Sequence, residues 1–487
     1  MNDSNLKYLR AINQQLGGAI GQAVGDGMAG RLLFCTANLL RSLIAEQQGH
    51  NRPVGTRTSR MRDLTPQLRA MFGESNEACH LLDTLENSAV QEQHFFQALA
   101  AVAGLLAGRQ DNGSKSLLAE FVAWDQQRWT SVEHDFNALS PTGEEHLDRE
   151  VEPIAADELE RLKTLLRQHC GEGPGLQVSH VNAIAGGFSK QTIILTLEGN
   201  QHLPNEIVMR RDRAESPVGS TVLDEFQLLK TLYSAGVCVP QPFVVDASGV
   251  MGCPILIMAK ADGGNIGDVY NIHAPSTLST ELATGLAREL AKLHQVSITQ
   301  LPSSLPGTDS SHKAFLRQEM EKFQRDWLAL DQSSVTITVA FEWLFAHLDL
   351  LGDRRCLVHG DTRFHNILCQ GDQVTAILDW ELAAIGNPAR DLGYAYHHII
   401  QFADWQQFLD AYRDAGGTVP SALELDFYIL WSDLFVAIYM YRARESWLSS
   451  NGDNIQLAYA GERLRQHNMQ LLSTRLNGLL AKYSATQ

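Results

Sequence analysis

The sequence predicts an all-α helical domain followed by a two-lobed α+β domain, and changes in residue pattern along its 487 residues support this prediction. Over residues 1–136, apolar residues recur at helical intervals without strand-like alternation. Beyond residue 153, glycine turns separate runs of β-branched residues, and helical patterns return from about residue 275. A strand-rich segment followed by a helix-rich segment is typical of a two-lobed domain.

The composition is that of a globular protein with an acidic surface. Apolar residues make up 44% of the chain and charged residues 20%, and the formal net charge is −17. A chain of this length can bury large cores. The negative charge argues against a protein that binds nucleic acid or an anionic membrane, although a local basic pocket for an anionic substrate remains compatible with it.

Cysteine spacing and hydropathy indicate a reduced intracellular environment. The seven cysteines are scattered and form no C-x-x-C pair, which argues against a disulfide framework or a zinc site. Residues 1–20 lack a charged segment followed by an apolar run, and no run of 18 apolar residues occurs. We therefore expect a cytoplasmic protein that binds no membrane, with its oligomeric state left open.

The predicted N-terminal domain, residues 1–136, consists of about four or five helices that pack as a bundle of uncertain role. Breakers rich in glycine, proline and aspartate separate its helical runs, at residues 25–27, 49–55 and 111–114. Residues 137–153 are polar and acidic and predict a linker. The N-lobe of the second domain is predicted at residues 154–262 and its helical C-lobe at residues 263–487.

The strands are predicted from short β-branched runs. In the N-lobe these runs lie at residues 178–184, 191–197, 207–209 and 255–259. A helix is predicted at residues 223–232. In the C-lobe we expect one short strand pair, formed by residues 356–359 and 374–378.

The most informative polar residues lie in and beside that C-lobe pair. Phosphoryl transfer requires a carboxylate beside the attacking hydroxyl, hard oxygen ligands for Mg²⁺, and cations at the phosphate oxygens. Asp361, Arg363, Asn366 and Asp379 are residues of these types. The five-residue spacing from Asp361 to Asn366 is that of the Asp and Asn in the protein-kinase loop H-R-D-L-x-x-x-N, and Asp379 follows an apolar strand as the D-F-G aspartate does.

Three motifs together resemble the aminoglycoside phosphotransferase family, the small-molecule phosphotransferases of protein-kinase-like fold. They are His359-Gly-Asp361 with Asn366, Leu378-Asp-Trp-Glu381, and Gly386-Asn-Pro-Ala-Arg-Asp391. The resemblance covers about residues 175–470, and within the family it is greatest to the kinase domains associated with acyl-CoA dehydrogenases. It implies a protein-kinase-like domain that transfers the γ-phosphoryl group of ATP, with Mg²⁺, to a hydroxyl of a small molecule.

The resemblance also implies the roles of the loop residues. Asp361 would act as the base or orient the acceptor hydroxyl, and Arg363 would contact phosphate oxygens. Asn366 and Asp379 would hold Mg²⁺. His359 would order the loop through hydrogen bonds rather than transfer protons.

On the nucleotide side, the resemblance places the phosphate loop at the glycine turn of Gly186, Gly187, Phe188 and Ser189, whose backbone N–H groups can bind phosphate. A plain glycine hairpin is the alternative. The phosphate-binding lysine that the family carries on the third strand is replaced by Arg210, an always-charged bidentate donor. Arg211, on the other face of the strand, is the alternative cation.

Three further sites complete the implied nucleotide pocket. Glu225 would form the ion pair with the third-strand cation, although a solvent-facing acid at a helix start is the alternative. The backbone of Met258, Ala259 and Ala261 would meet the adenine edge at the hinge between the lobes. Whether ATP or GTP is preferred stays open.

The acceptor remains the least determined feature. The subgroup resemblance favours a hydroxyacyl-CoA. An aminoglycoside or an amino alcohol is the alternative acceptor, and acidic residues such as Glu381 would suit such a cation. A non-catalytic, pseudokinase-like binding module is a third possibility, which the Arg210 replacement supports and the intact set of Asp361, Asn366 and Asp379 opposes.

Overall fold

A computed structural model describes residues 35–36, 38–45, 54–73, 76–88, 92–109, 111–138, 154, 156–184, 190–212, 220–247, 249, 251–267, 278–450 and 454–484. The chain divides into two compact units. The first comprises Met1–Leu147, Leu316–Leu351 and Leu430–Gln487, and the second comprises Asp148–Phe315 and Gly352–Ile429. None of the helices in the described ranges is both long enough and apolar enough to cross a membrane.

The helices with full bounds are, in chain order, α1 (Val54–Phe72), α2 (Asn76–Ser88), α3 (Glu92–Leu106), α4 (Asn112–Asn137), α5 (Ala156–Cys170), α6 (Val222–Ser234), α7 (Thr280–Gln295), α8 (His312–Ala329), α9 (Val335–His347), α10 (Ala389–Ile399), α11 (Trp405–Asp414), α12 (Ala422–Ser449), α13 (Ile455–Tyr459) and α14 (Arg465–Ser484). The strands are β1 (Gln177–Ile184), β2 (Lys190–Glu198), β3 (Glu206–Asp212), β4 (Pro242–Asp246), β5 (Ile255–Ala259), β6 (Gly264–Asn265), β7 (Cys356–Val358), β8 (Ile367–Gln370), β9 (Gln373–Ile377) and β10 (Ala384–Gly386).

The first unit is helical in its described residues. Helix α4 begins after Asp111, whose carboxylate accepts the backbone N–H of Ser114 as an N-cap. It buries an apolar stripe that includes Leu117, Phe121 and Trp124, and it packs against α14, while α9 packs against α3 and α4. The helical character predicted for residues 1–136 therefore holds where the chain is described. The predicted domain borders stay predictions, and the predicted linker lies outside the described residues from residue 139 to residue 153.

The second unit contains a five-stranded antiparallel sheet in the order β1-β2-β3-β5-β4. Alternate residues point to opposite faces of such a sheet. One face packs against α5 in an apolar core that includes Leu162, Leu166, Ile193, Leu195, Ile207, Met209, Ile255 and Ile257. The register pairs Thr192 with Arg210 and Val208 with Met258, so these four residues share the other face.

Helix α6 lies against β3, β4 and β5. Thr221 begins it through a capping box, in which the Thr221 side chain accepts the N–H of Asp224 and the Asp224 carboxylate accepts the N–H of Thr221. The cap fixes the first helical turn, and Glu225 lies in that turn. The sequence predicts this helix to within two residues at each end.

The strand pair predicted for the C-lobe is wrong. Strand β7 pairs with β10, and β9 pairs with β8. The reason is local: Gly371, with a φ of +58°, forms a tight turn that folds β9 back onto β8. The residues between Val358 and Ile367 are thereby left as a loop that leads from one small sheet to the other.

Candidate active site

The loop after β7 is fixed by Asp391 of α10. This fully buried carboxylate accepts the backbone N–H groups of His359 and Gly360, each at 2.8 Å. Gly360 has a φ of +83°, and a Cβ there would lie 2.5 Å from the carbonyl oxygen of Leu382. Only glycine therefore suits this position, and the loop approaches the backbone after β9 closely.

Asp391 is in turn held by His294, near the end of α7. His294 Nε2 lies 3.0 Å from Asp391 Oδ2, and His294 Nδ1 lies 2.8 Å from the Tyr412 hydroxyl. Burial by itself would raise the pKa of Asp391, but the hydrogen bonds from His294 and from the Gly360 N–H hold that pKa below its ordinary value. Asp391 therefore stays ionised and braces the loop.

His359 links the loop to the segment that carries Asp379. Its Nδ1 accepts the backbone N–H of Asp361 at 3.1 Å, and its Nε2 donates to the carbonyl oxygen of Leu378 at 2.8 Å. These two contacts fix the tautomer and use both ring nitrogens. The geometry is that of a residue that orders the loop, as the resemblance implies.

Asp361 and Asn366 are in direct contact. Asn366 Nδ2 donates to Asp361 Oδ2 at 2.9 Å and to the Asp361 carbonyl oxygen at 3.0 Å. The Asp361 side chain is 25% exposed, and Arg363 Nε lies 3.4 Å from its Oδ1. A partly exposed carboxylate is thus held in one orientation by a buried amide.

Asp379 follows β9 in the left-handed region, with φ +64° and ψ +73°. The backbone N–H of Leu378 donates to the Asn366 carbonyl oxygen at 2.8 Å, which ties the two proposed metal ligands together through the backbone. Asp379 Oδ1 accepts from Arg210 Nη2 at 3.2 Å. The Asp379 side chain is partly exposed, so one carboxylate oxygen is available for a cation.

Arg210 joins β3 to α6. Its Nη1 lies 2.5 Å from Glu225 Oε1, and both side chains are buried. Burial by itself would lower the pKa of the Arg210 guanidinium, but the carboxylates of Glu225 and Asp379 more than offset this and raise it. Arg211 points to the opposite face, where it contacts Gln191 and Glu158. The structure therefore brings Arg210, and not Arg211, to Asp379.

The family of the chain is decided by its sequence match. The family model for APH, the phosphotransferase enzyme family, matches residues 180–427, just over half of the 487 residues. The chain belongs to the APH phosphotransferase family. The match spans β1 to α12 and contains the Asp361 loop, Asp379 and the Arg210–Glu225 pair.

Curated relatives of this APH chain are named as acyl-CoA dehydrogenase family members. Acyl-CoA dehydrogenase family member 10 of Mus musculus is 28% identical over 276 residues, which is 54% of this chain and 24% of that protein. Acyl-CoA dehydrogenase family member 11 of Rattus norvegicus is 27% identical over 275 residues, which is 53% of this chain and 33% of that protein. The matched part thus spans 24% to 33% of the length of these relatives.

A solved structure shares the fold. A candidate aminoglycoside phosphotransferase from Ralstonia eutropha JMP134 superposes with a TM-score of 0.51 at 21% identity, covering 65% of this chain and 98% of that one. With the family match, this confirms the two-lobed kinase-like fold predicted for the C-terminal part.

The other residues predicted for the nucleotide site are described only in part. Gly186, Gly187, Phe188 and Ser189 lie outside the described residues. Met258 is buried on the Arg210 face of the sheet. The Ala259 N–H donates to the Gln241 carbonyl oxygen at 2.8 Å, so this group serves the fold. Ala261 lies beyond the end of β5, and its contact with a base stays a prediction.

Lys190 is a buried residue beside this site for which the sequence predicts no role. It is the first residue of β2, and its side chain is 2% exposed. Its Nζ lies 3.7 Å from Glu381 Oε2. The only sequence signal was its position within the stretch that joins the first two strands.

Proposed function

We propose that this APH chain is an ATP- and Mg²⁺-dependent phosphotransferase that phosphorylates a hydroxyl of a small molecule. The observation that carries the proposal is the contact between Asp361 and Asn366, on a loop whose backbone is braced by the buried Asp391. A carboxylate that is partly exposed and fixed in orientation can accept a hydrogen bond from an alcohol and orient it for attack.

The residues around Asp361 suit the two demands of the reaction. The Asp361 carboxylate takes the proton of the acceptor hydroxyl or orients that hydroxyl. Arg363, beside it, carries a permanent positive charge that stabilises phosphoryl oxygens as negative charge shifts among them. Its guanidinium lies 5.5 Å from the centre of the Tyr394 ring, which limits the positions that it can take.

The oxygen donors present fit a magnesium ion. Asn366 turns its Nδ2 to Asp361, so its Oδ1 is the atom that a metal would use, and Asp379 has a carboxylate oxygen beyond the one held by Arg210. Within the described residues no three His, Cys, Asp or Glu side chains form a metal-binding group. Two protein oxygens suit Mg²⁺, which keeps water and phosphate oxygens as its other ligands. Bound there, Mg²⁺ would neutralise charge on the phosphates.

The nucleotide would lie along the face of the sheet that carries Arg210. Glu225 orients the Arg210 guanidinium, which also contacts Asp379. The guanidinium therefore lies between Glu225 and a proposed Mg²⁺ ligand. Ala261 would face the base, and the glycine-rich segment at residues 186–189 is proposed to bind the phosphates. The intact pair between Arg210 and Glu225 argues against the pseudokinase alternative, because the substituted cation retains its partner.

For the acceptor we propose a hydroxyacyl-CoA. The support is the match to proteins named as acyl-CoA dehydrogenase family members, because a kinase segment joined to such an enzyme is expected to act on a related thioester. An aminoglycoside and an amino alcohol are the alternatives, and the half-buried carboxylate of Glu381 is the group that would attract their charge.

A substrate screen tests the proposal. The full chain is incubated with ATP and Mg²⁺ and with hydroxyacyl-CoAs, aminoglycosides or amino alcohols, and acceptor-dependent ADP release is measured with and without a chelator. We expect chelator-sensitive ADP release with a hydroxyacyl-CoA. Release with an aminoglycoside or amino alcohol alone would replace the proposed acceptor. Tight ATP binding without release on any alcohol would favour a binding module.

A further inference from the structure

Lys190 is a buried cation that the reaction scheme above does not use. Its side chain is 2% exposed, and its Nζ has no hydrogen-bond partner among the described residues. Glu381 Oε2, at 3.7 Å, is beyond hydrogen-bond distance. A buried ammonium group without a hydrogen-bond acceptor is unfavourable in a folded protein, which indicates that a ligand completes its surroundings.

The strand register shows which part of a nucleotide Lys190 would meet. Ile207 of β3 pairs with Ala259, at the hinge end of the sheet. Arg210 lies further from the hinge along β3. Asp212, which pairs with Lys190, lies further from the hinge again. Two residues of a strand span about 6.6 Å. Lys190 shares the face of Arg210 because both Lys190 and Thr192 occupy even positions of β2, and Thr192 pairs with Arg210. A nucleotide whose base lies at the hinge would therefore bring its outer phosphates nearest to Lys190.

We propose that Lys190 is a second phosphate-binding cation, which contacts oxygens beyond the α-phosphate of the bound nucleotide. This inference rests on the proposed function. Glu381 keeps the ammonium near the site through charge attraction without occupying its hydrogen-bonding positions.

Binding measurements with truncated nucleotides test this assignment. Calorimetry gives the affinities of adenosine, AMP, ADP and ATP, with Mg²⁺ present, for the full-length protein and for Lys190→Gln. We expect unchanged affinity for adenosine and AMP and about 10- to 100-fold weaker binding of ATP, as for the loss of one charge-assisted hydrogen bond. Lys190→Arg retains the charge and is expected to bind ATP more tightly than Lys190→Gln.

Lys163→Gln is the matched control. Lys163 is also a buried lysine of the second unit, with 9% of the residue exposed, but it lies on α5, where it contacts Glu160 and Gln177. It should bind all four ligands as the wild type does. Equal ATP affinity in Lys190→Gln and wild type would overturn the assignment. A parallel loss of adenosine and ATP would also overturn it, because that result indicates a structural role.

Glu381→Gln supplies a test that does not depend on the folding of Lys190 variants. With one competing carboxylate removed, the ratio of ATP to AMP affinity should rise, and an unchanged or lower ratio would contradict the assignment. The proposed function fails separately: a folded wild-type chain that binds no ATP would remove both proposals, whereas ATP binding that is indifferent to Lys190 would remove only this one.

Discussion

Asp379 occupies a backbone conformation that residues other than glycine rarely adopt. Its φ of +64° lies in the left-handed region, which costs an L-residue about 1 kcal/mol and is least unfavourable for Asn and Asp. Such conformations cluster at functional sites, where the surrounding structure enforces them. Here the hydrogen bonds of Leu378 to Asn366 and of Arg210 to Asp379 enforce it from both sides.

Substitution of Asp379 should separate activity from stability. Asp379→Asn tolerates the left-handed conformation but lacks the charge that a divalent ion requires, so turnover should fall by more than tenfold, because a lost metal ligand weakens transition-state stabilisation by several kcal/mol. Its Tm should stay close to that of the wild type. Asp379→Val should instead lower the Tm, because a β-branched residue is strongly disfavoured there. Retention of most of the turnover in Asp379→Asn would remove Asp379 from the metal site.

Asp391 should contribute a pH-dependent part of the stability. Its pKa is lowered in the folded state, so its stabilisation is fully present above the unfolded pKa of about 3.9 and is lost as the pH falls below it. Both Asp391 carboxylate oxygens accept N–H groups, from His359, Gly360 and His294. In Asp391→Asn one of these oxygens becomes an NH₂ group, so at least one N–H group loses its acceptor. We expect a loss of about 3–5 kcal/mol in the free energy of unfolding at pH 7.

Urea denaturation of wild type and Asp391→Asn from pH 7 to pH 3 measures this contribution. The difference between the two proteins should shrink as the pH falls below about 4, because the carboxylate of the unfolded wild type then binds a proton while that of the folded protein, with its lowered pKa, stays ionised until a lower pH. A difference that is independent of pH would show that Asp391 stabilises the loop by packing rather than by its charge.

At the scale of secondary-structure elements, one side chain joins β3, α6 and the segment after β9. Arg210 contacts Glu225 at the start of α6 and Asp379 after β9. The sequence predicts the pair with Glu225, which is present, whereas the contact with Asp379 depends on how the chain folds and has no sequence signal. The functional roles of these residues stay predictions.

Variants of this pair should rank in a fixed order. Arg210→Lys keeps a cation and should remain substantially active, whereas Arg210→Ala should lose ATP affinity or rate and leave Glu225 buried without its partner. Glu225→Gln should be impaired less in ATP affinity than Arg210→Ala, because Glu225 orients the cation rather than touching phosphate. Steady-state kinetics with ATP and a calorimetric Tm check the order. Full activity in Arg210→Ala would contradict the role.

How well each element is predicted depends on whether its signal is local. Residues 255–259 form a strand with the predicted bounds, and the Thr221 and Asp224 cap places α6 closely. Strand β4 and the short strands β6, β8 and β10 escape prediction, because they have two to five residues and are stabilised by partners elsewhere in the chain. Lys190 escapes for a similar reason: its burial beside Glu381 follows from tertiary structure.

Within the first unit, one ion pair joins parts of the chain that are far apart in sequence, because it links α4 to the segment just before α14. In the first unit, Arg463 donates to both carboxylate oxygens of Glu133 of α4, at 2.6 and 2.8 Å, and His467 lies 3.4 Å from the same carboxylate. Burial by itself would raise the pKa of Glu133, but His467 and Arg463 hold it well below its ordinary value. Helix α4 therefore belongs to the same packed unit as α14, which sequence periodicity could not reveal.

Removal of the Glu133 charge should destabilise this unit. Glu133→Gln leaves the buried Arg463 without its carboxylate, and we expect the free energy of unfolding at pH 7 to fall by about 3–5 kcal/mol. Asp83→Asn, which breaks an exposed pair with Arg69, is the matched control and should change stability little. Equal effects of the two substitutions in urea denaturation would show that the Glu133–Arg463 pair does not hold α4 in place.

Above all, we propose that the Asp361 loop transfers a phosphoryl group to an alcohol. Mass spectrometry of the acceptor after incubation with ATP and Mg²⁺ tests it directly, with wild type, Asp361→Asn and Asp353→Asn compared. Asp353 is an aspartate with a side chain that is 83% exposed and serves as the control. We expect the phosphate ester with wild type and Asp353→Asn and its loss by more than about 100-fold with Asp361→Asn. Equal product from Asp361→Asn, or no phosphate ester from wild type with any alcohol, would contradict the claim.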